Sequence, residues 1–344
     1  MHKHDATLSV LIIGGGNIAG RFDEGQESTK HPMTHAGAYT AHAGFSLDAV
    51  VETDPARRRA FSDYWNISIG AAEIAELNIE SGHFDVISIC SPTALHLTHL
   101  TMAINLRPKA IFCEKPVASN LADAKTAVKA AHDAGILLAV NHTRRWSPDM
   151  RRLAHEIASG HWGSVRSATG YYNKGILNNG THLIDLLTLL FGELQVEWVG
   201  HPIHDFWPKD PSIPAVLRTD AGILIYLCTG HAVDYAMFEL TIVTEKAVIS
   251  IEDGGFRWRV RQRAESLRFP GYQTLDNGVC AEGEYPHAMM EAINNLYDAV
   301  LKGRQLACDG HQALVTQAFA ESILEKSMQL HPTPQIKEID FGHR

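Results

Sequence analysis

The sequence predicts an α/β protein in two parts: a parallel sheet covered by helices, then an α+β domain built on a largely antiparallel open sheet. Three observations predict this. Short apolar runs alternate with helical patterns up to about residue 140, a glycine-rich turn follows the first apolar run, and closely spaced β-like runs dominate the second half. Continuous apolar strands that alternate with helices are typical of a parallel sheet buried on both faces.

Length and composition limit the class of protein. A chain of 344 residues fits two domains, which we place at residues 1–142 and 143–344. The net charge of -9 disfavours nucleic acid or an anionic membrane surface as a partner. No run reaches the roughly 18 apolar residues of a membrane helix, and the N-terminus does not read as a signal peptide. Five scattered cysteines without a CxxC pair indicate reduced thiols, and we expect a cytoplasmic protein.

The first domain supplies most of the parallel pattern. Predicted strands cover residues 8–13, 47–51, 86–90, 110–113 and 137–140. Predicted helices cover residues 57–65, 71–77, 96–105 and 121–134. Right-handed crossovers leave the carboxyl ends of such strands on one edge, where ligands bind.

The second domain follows a different pattern. A helix at 148–159 leads into a strand at 165–172 and a helix at 182–191, and two further helices, 286–302 and 311–329, close the chain. Between them the predicted strands are 195–200, 223–229, 238–244, 247–251 and 256–263. We expect the proline-rich stretch 201–214 to be a flexible loop.

The glycine turn indicates the ligand of the first domain. Gly14, Gly16 and Ala19 follow an apolar strand in a G-x-G-x-x-A register. The first glycine permits a tight turn, the second lets a pyrophosphate approach, and the small third residue lets helix and strand pack closely. We therefore expect a Rossmann dinucleotide-binding domain with the phosphates at a helix N-terminus.

An acidic residue indicates which dinucleotide binds. Glu52 ends the second predicted strand, later than usual because a polar stretch, 21–35, is inserted into or before the first helix. A carboxylate there can accept both ribose hydroxyls and repels a 2′-phosphate, so NAD is expected rather than NADP. Alternatively, Glu52 only begins a turn, and Arg57 or Arg58 reaches a phosphate.

Three more segments complete a recognisable set. SPTALHLTHLTMAI follows the strand at 86–90, IFCEKPVASN begins in the strand at 110–113 and continues beyond it, and GILNNGTHLID opens the helix at 182–191. With the glycine turn and Arg144-Arg145-Trp146, they resemble the Gfo/Idh/MocA family of NAD(P)-dependent oxidoreductases over nearly the whole chain. The likeness is strongest in Glu114-Lys115-Pro116, which is similar to the EKP motif of that family.

The resemblance implies a role for particular residues. Lys115 is then the catalytic lysine and His182 the catalytic histidine. Asp185 is expected to turn toward substrate or toward His182, and Asn178, Lys174 and Arg145 are expected to contact substrate. The expected cofactor contacts are Gly14, Gly16, Asn17, Ile18, Glu52, Ser91, Pro92, His96, Glu114 and Lys115.

These side chains suit hydride transfer from a secondary alcohol. An imidazole can take the hydroxyl proton near neutral pH, and an adjacent ammonium stabilises the developing alkoxide. Each also has an ordinary explanation, as a solvated lysine or a capping histidine. A metal pair of His182 and Asp185 is the poorer hypothesis, because no third ligand lies at a typical zinc spacing.

One position departs from the family pattern. Many members carry an aspartate four residues before the histidine, where this chain has Asn178. An amide cannot share a proton or stabilise an imidazolium by charge, which puts the usual proton relay in question. Asp185 or a substrate group would then take over part of the role.

The functional hypotheses fall into different classes. The first is an NAD(H)-dependent dehydrogenase or reductase acting on a sugar, polyol or nucleotide-sugar. The others are a glycosidase that uses tightly held NAD transiently, and a dinucleotide-binding regulatory protein without catalysis. The resemblance also implies a homodimer or homotetramer that associates through the open sheet.

Overall fold

A computed structural model describes residues 7–25 and 31–332 of the chain. Residues 26–30, within the predicted insertion 21–35, lie outside the described residues. In the described part, the first sheet has six parallel strands in the order β3-β2-β1-β4-β5-β6. They are β1 (Leu8–Ile13), β2 (Phe45–Val51), β3 (Ile69–Ala71), β4 (Val86–Ile89), β5 (Ala110–Cys113) and β6 (Leu137–Val140). The order reverses between β1 and β4, which opens a crevice at the carboxyl edge.

Helices cover both faces of this sheet. Within the described residues they are α1 (His35–Ala41), α2 (Pro55–Trp65), α3 (His96–Asn105) and α4 (Leu121–Asp133). Every residue of β4 and β5 is buried, as expected for strands packed on both faces. The α/β fold predicted for this half is confirmed.

The glycine turn does not run straight into an α-helix, in agreement with the predicted insertion before the first helix. Residues 16–20 form an irregular turn, a 3₁₀ turn (Arg21–Asp23) follows, and α1 begins only at His35. The amide of Ala36 nevertheless donates to the carbonyl of Ala19 at 2.8 Å. The polar insertion therefore separates the first turn from the helix that continues it.

A second difference lies at the edge of the sheet. The helix predicted at 71–77 is instead the end of β3 followed by a 3₁₀ turn, Ile74–Leu77. Strand β3 pairs with β2 through Ala49 and Ile69. A three-residue edge strand is too short for its hydrophobic period to be read, so neighbouring β2 decides the local structure.

The second sheet is mixed and mostly antiparallel. In the described residues its order is β16-β15-β14-β13-β7-β12-β11-β8, with β17 paired to β15, and β7 and β12 run parallel. The strands are β7 (Val165–Tyr172), β8 (Leu194–Val199), β11 (Ala215–Thr219), β12 (Leu224–Thr229), β13 (Phe238–Thr244), β14 (Ala247–Glu252), β15 (Arg257–Glu265), β16 (Gln273–Leu275) and β17 (Val279–Glu282). This confirms the predicted second sheet, although β11, β16 and β17 were not predicted.

The helices of the second half divide between two cores. Helices α5 (Pro148–Ala158), α6 (Thr181–Phe191) and α8 (Gly310–Leu330) contribute to the core on one face of the second sheet. Helix α7 (Ala288–Lys302) instead buries its apolar residues in the core of the first sheet. The division at residue 142 stays a prediction, and α7 shows that the two halves share packing across it.

The other face of the second sheet carries exposed aromatic side chains. Residues of β12 alternate, with Ile225 buried and Tyr226 40% exposed, and Trp198 on β8 is 54% exposed. Association through this face stays a prediction. Among the described helices, none combines the length and apolar character that crossing a bilayer demands.

The predicted flexible loop at 201–214 is structured. It forms an antiparallel pair of short strands, β9 (Ile203–Trp207) and β10 (Asp210–Ser212). The prolines suggested a loop because proline cannot donate to a strand ladder. Here the pairing is brief, and other parts of the second domain hold the hairpin in place.

Candidate active site

The glycine turn is tight at one position and open at another. Gly14 has a φ of +97°, and a Cβ there would lie 2.7 Å from the Ser91 amide nitrogen. A Cβ on Gly16 would meet no atom within 4 Å. The backbone therefore requires glycine at position 14. The open space over Gly16 fits the close approach of a pyrophosphate.

A cavity of about 450 Å³ lies at the carboxyl ends of β1, β2 and β4. It brings together four predicted cofactor residues, Gly14, Glu52, Ser91 and Pro92. His99 lines it too, with Nδ1 2.8 Å from the Ser91 hydroxyl oxygen. His99 was not predicted, although it lies one helical turn after His96 on the same helix. The cavity has the position and lining that a dinucleotide requires.

Glu52 is buried and fixed in the wall of this cavity. Its Oε2 accepts the amide of Gly15 at 2.8 Å, and its Oε1 accepts that of Asp54 at 3.0 Å. Arg57 Nη1 lies 3.5 Å from Oε1. Arg58 is turned away and donates to the Glu52 carbonyl at 2.5 Å. The cavity therefore has a fixed negative charge at the end of β2.

Two predicted cofactor residues lie at the rim of the glycine turn. Asn17 is exposed, and Ile18 lines a further cavity of about 350 Å³. Thr143 and Tyr285 of the second half line the same cavity. The glycine turn and the second half of the chain therefore face each other across open space.

His96 does not face a cofactor, and the prediction for it is corrected. Its side chain is 1% exposed. Nδ1 lies 2.7 Å from the carbonyl oxygen of Pro116, and Nε2 lies 2.9 Å from that of Ser91. The ring therefore links the loop after β4 to the loop after β5 by hydrogen bonds, and it does not line the cavity of about 450 Å³.

Lys115 follows β5 and reaches the second domain. Its Nζ donates to the backbone oxygen of Asn178 at 3.0 Å and to the side-chain Oδ1 at 2.9 Å. Burial lowers the pKa of Lys115 to about 8, although Glu114 and Asp210 oppose that shift by their charge and Arg144 adds to it. The ammonium therefore gives up its proton far more readily than an ordinary lysine.

His182, on the first turn of α6, has an imidazole with a free nitrogen. Its Nδ1 is buried and finds no hydrogen-bond partner among the described residues. Burial holds the pKa of His182 well below its ordinary value, and Lys115, Arg144 and His142 reinforce this by their charge. The ring is therefore neutral at physiological pH.

His142 is a neighbour of His182 that the prediction missed. The two ring centroids are 6.0 Å apart. Burial lowers the pKa of His142 as well. Its place directly after β6, on the ligand-binding edge of the sheet, was the signal that could have identified it.

Glu114 belongs to a buried polar network. Its Oε1 accepts from Asn141 Nδ2 at 2.6 Å and lies 3.0 Å from His35 Nε2. His35 Nδ1 in turn lies 3.2 Å from the hydroxyl of Ser88. Burial alone would raise the pKa of Glu114, but hydrogen bonds from His35 and Asn141 and the charge of Lys115 outweigh it and lower that pKa. Glu114 therefore contributes a fixed negative charge beside Lys115.

Asp185 and Arg145 bind each other, which corrects the prediction that they face substrate or His182. Arg145 Nε donates to the two carboxylate oxygens of Asp185 at 2.8 and 2.9 Å. The Thr316 hydroxyl of α8 adds a third bond at 3.1 Å. Asp185 is 1% exposed and Arg145 is 8% exposed. Both side chains therefore bind other residues of the protein.

Arg144 is a second buried guanidinium next to Arg145. It lies 3.6 Å from the ring centroid of Phe238 and 4.9 Å from that of Tyr285, and its Nε donates to the carbonyl of Gly254 at 3.1 Å. Burial lowers the pKa of Arg144. No carboxylate of the described residues forms an ion pair with it. Its positive charge adds to that of Lys115.

Lys174 and Asn178, both predicted to contact substrate, share another cavity. This cavity has a volume of about 550 Å³, and Tyr235, Glu239 and Arg257 also line it. The ammonium of Lys174 lies 5.3 Å from the ring centroid of Phe206. Polar side chains from separate strands and turns thus surround a volume that fits a hydrophilic ligand.

Asp210 is an acidic residue of the site that the prediction missed entirely. It lies on β10, within the stretch expected to be a loop, and faces the turn that carries Asn178. Burial raises the pKa of Asp210 to about 6, against the lowering effect of the Leu177 and Asn178 amides and of Lys115. No sequence signal placed it near Lys115.

The assembled residues are those of proton-transfer chemistry beside a dinucleotide cavity. A lysine with a lowered pKa and a neutral histidine come from different halves of the chain. Within the described ranges, no group of three or more His, Cys, Asp or Glu side chains could hold a metal ion. The geometry therefore fits acid–base chemistry that a bound dinucleotide completes.

Comparison with known proteins agrees with this geometry. Residues 8–142 match the GFO_IDH_MocA family, described as an oxidoreductase family with an NAD-binding Rossmann fold. The chain is 24% identical over 341 residues to inositol 2-dehydrogenase of Rhizobium meliloti (strain 1021), which covers 92% of this chain and 96% of that protein.

Solved structures share the fold across both domains. An oxidoreductase from Agrobacterium radiobacter, in complex with NAD⁺, L-tartaric acid and magnesium, matches with a TM-score of 0.74 at 18% identity, covering 95% of this chain and 98% of that chain. The WlbA dehydrogenase from Bordetella pertussis, in complex with NADH and UDP-GlcNAcA, matches with a TM-score of 0.74 at 17% identity over 94% and 96% of the two chains.

Proposed function

Because the chain belongs to the Gfo/Idh/MocA family of NAD-binding Rossmann oxidoreductases, we propose that it transfers hydride between a nicotinamide dinucleotide and a secondary alcohol or carbonyl carbon. The substrate is a sugar, a polyol or a nucleotide-sugar. One observation carries the proposal. Lys115, with a pKa lowered to about 8, is held at the carboxyl edge of the first sheet by the turn that leads to His182.

The first domain would hold the cofactor. Gly14, Gly16, Ser91 and Pro92 would surround the dinucleotide, which supplies the carbon that accepts or gives up hydride. The carboxylate of Glu52 favours NAD, because it can accept ribose hydroxyls and repels a 2′-phosphate. Arg57, 3.5 Å from that carboxylate, is already paired with it.

Lys115 is the residue we propose to move the proton. Roughly one-tenth of a group with a pKa near 8 is neutral at pH 7, so Lys115 can accept the hydroxyl proton of an alcohol or return it to an alkoxide. In its charged form it stabilises negative charge on the same oxygen. Neutral His182 would orient the hydroxyl and pass the proton onward.

The substrate class rests on relatives and on the second cavity. The relatives include inositol 2-dehydrogenase and a D-glucoside 3-dehydrogenase of Escherichia coli (strain K12), which is 27% identical over 192 residues and covers 52% of this chain and 50% of that protein. The cavity of about 550 Å³ beside Lys174 and Asn178 is polar enough for a hydroxylated ligand. Lys174 would contact an acidic or phosphorylated group of that ligand.

A spectrophotometric screen tests the proposal. Purified protein is incubated with NAD⁺ or NADH and a panel of sugars, inositols and nucleotide-sugars, and absorbance of the reduced nicotinamide is followed. Substitution Lys115→Met should lower kcat/KM by about 10²- to 10⁴-fold and leave NAD affinity intact. Lys109→Met is the control, because Lys109 precedes the same strand but pairs with Asp85 at the surface.

Failure would take a recognisable form. Absence of hydride transfer with every compound in both directions, despite tight NAD binding, would contradict the proposal. Glycoside cleavage that needs bound NAD without net turnover would indicate a hydrolase. Retention of wild-type activity by Lys115→Met would remove Lys115 from the mechanism.

A further inference from the structure

The hairpin formed by β9 and β10 brings a carboxylate to the turn before His182. Asp210 Oδ1 accepts the amide of Leu177 at 2.8 Å, and its Oδ2 accepts the amide of Asn178 at 2.9 Å. These amides belong to a π-helical turn, Gly175–Gly180, that leads directly into α6. One carboxylate thus accepts hydrogen bonds from two consecutive amides of the turn that leads to His182.

The turn accommodates this carboxylate through a glycine. Gly175 has a φ of +90°, and a Cβ there would lie 2.1 Å from Asp210 Oδ2. Any other residue would displace the carboxylate. Gly175 is therefore required for two reasons: its backbone has a positive φ, and the absence of a Cβ lets the Asp210 carboxylate approach.

Further hydrogen bonds lock the hairpin to the same turn. The amide of Gly175 donates to the Ser212 hydroxyl at 3.0 Å, and that hydroxyl donates to Asp205 at 2.9 Å. Asp205 also accepts the amides of Lys174 at 2.9 Å and of Ala232 at 3.2 Å. The position of Asp210 is therefore set by several contacts.

Asp210 is connected to Lys115 through a single residue. The amide nitrogen of Asn178 donates to Asp210, while the backbone oxygen and Oδ1 of Asn178 accept from Lys115 Nζ. Asn178 therefore contacts Asp210 through its amide nitrogen and Lys115 through its two oxygens. Displacement of Asp210 would therefore move both acceptors that hold the ammonium.

On the premise of the proposed function, we propose that Asp210 is a positioning residue for Lys115. It fixes the Gly175–Gly180 turn so that Asn178 presents both oxygens to the ammonium, and it supplies the negative charge that the amide of Asn178 lacks. The acid expected at position 178 is thus replaced by one from a hairpin that is distant in sequence.

The surrounding charges support this role. Lys115 faces Glu114 and Asp210, which favour its charged form, and Arg144, which opposes it. Asp210 faces Lys115 and, on its own hairpin, Asp205, whose charge opposes ionisation. With a pKa of about 6, Asp210 is ionised at neutral pH and its charge is available to hold the ammonium.

Titration of Lys115 tests the proposal without requiring a substrate. The full-length protein is labelled competitively with acetic anhydride across a pH series, and the Lys115 peptide is quantified by mass spectrometry. Asp210→Asn should lower the titration midpoint of Lys115 by about one pH unit, because the opposing charge is lost. If an active substrate is known, the kcat/KM–pH profile should move in the same direction.

Two variants separate positioning from folding. Asp205→Asn disturbs the same hairpin but leaves the Asp210 carboxylate in place, and Asp205 is not among the charges that act on Lys115, so the midpoint should move much less than in Asp210→Asn. Asn178→Asp in the Asp210→Asn background should restore the midpoint by placing a carboxylate beside the ammonium. Should Asp210→Asn fail to fold, Asn178→Asp alone should raise the midpoint.

The outcomes are distinct from those of the function test. An unchanged midpoint in folded Asp210→Asn, or an equal shift in Asp205→Asn, would overturn the positioning role. Absence of hydride transfer in the wild-type protein would count against the proposed function only, since the titration of Lys115 is read in the protein without substrate.

Discussion

The buried ion pair between Arg145 and Asp185 allows the sharpest stability prediction. It joins the turn that opens the second half to α6, and Thr316 of α8 bonds the same carboxylate. Burial would lower the pKa of Arg145, but Asp185 more than compensates and raises it. Each charge is buried against the other, so removal of one partner leaves the remaining charge buried and unpaired.

The magnitude follows from these contacts. Asp185→Asn keeps the shape but removes the charge that pairs with Arg145, so we expect the free energy of unfolding to fall by about 3–5 kcal/mol. An independent estimate agrees: a charged hydrogen bond contributes about 1.5–3 kcal/mol, and an unsatisfied partner costs about 1–3 kcal/mol. At about 2 °C for each kcal/mol, the Tm should fall by about 6–10 °C.

Urea unfolding followed by circular dichroism measures this change. Glu284→Gln is the control, because its pair with Arg152 is exposed by 41% and 56% and should contribute less than about 1 kcal/mol. The double variant Arg145→Met with Asp185→Leu should recover most of the loss, because no buried charge remains. A loss below about 1 kcal/mol for Asp185→Asn, or simple additivity in the double variant, would refute the reasoning.

Three further predictions concern the turn, the cofactor and pH. Gly14→Ala should abolish dinucleotide binding and lower the Tm, because its Cβ would lie 2.7 Å from the Ser91 amide nitrogen; calorimetry measures both. Glu52→Ser should shift the NAD/NADP preference in kcat/KM toward NADP, and an unchanged ratio would argue against its role in selection. Because His182 and His142 have lowered pKa values in the folded state, the unfolded state binds more protons below about pH 6.5, so stability should fall as the pH is lowered from 7 to 5, with a slope of at most about 1.4 kcal/mol per pH unit for each ring. Asp210, with its raised pKa, acts in the opposite direction near pH 6, and His182→Gln should flatten the measured slope.

The first sheet was predictable because its information is local. Strands β1, β5 and β6 begin and end at the predicted residues, since each is a short apolar run bounded by turns. The glycine turn and Glu52 were also local signals, and Gly14 and Glu52 line the cavity at the carboxyl edge of the sheet. The failure in this half is the helix predicted at 71–77, where β3 ends and a 3₁₀ turn follows, because these segments are too short to have a readable period.

The site depended on contacts between distant residues. Lys115 and Asn178 are 63 residues apart, and Arg145 and Asp185 are 40 apart. The motifs identified Lys115 and His182 as candidate catalytic residues, but a motif does not show which distant residues contact them. Only the tertiary structure shows that Asp185 forms an ion pair with Arg145.

By itself, the sequence determined which residue types line the edge of the first sheet, because strand ends and glycine turns are set by neighbouring residues. The tertiary structure alone decided which charges meet there. A proline-rich hairpin places Asp210 against the Asn178 turn, 32 residues away. Electrostatic environment depends on distance in space and on burial, and neither can be read from spacing along the chain.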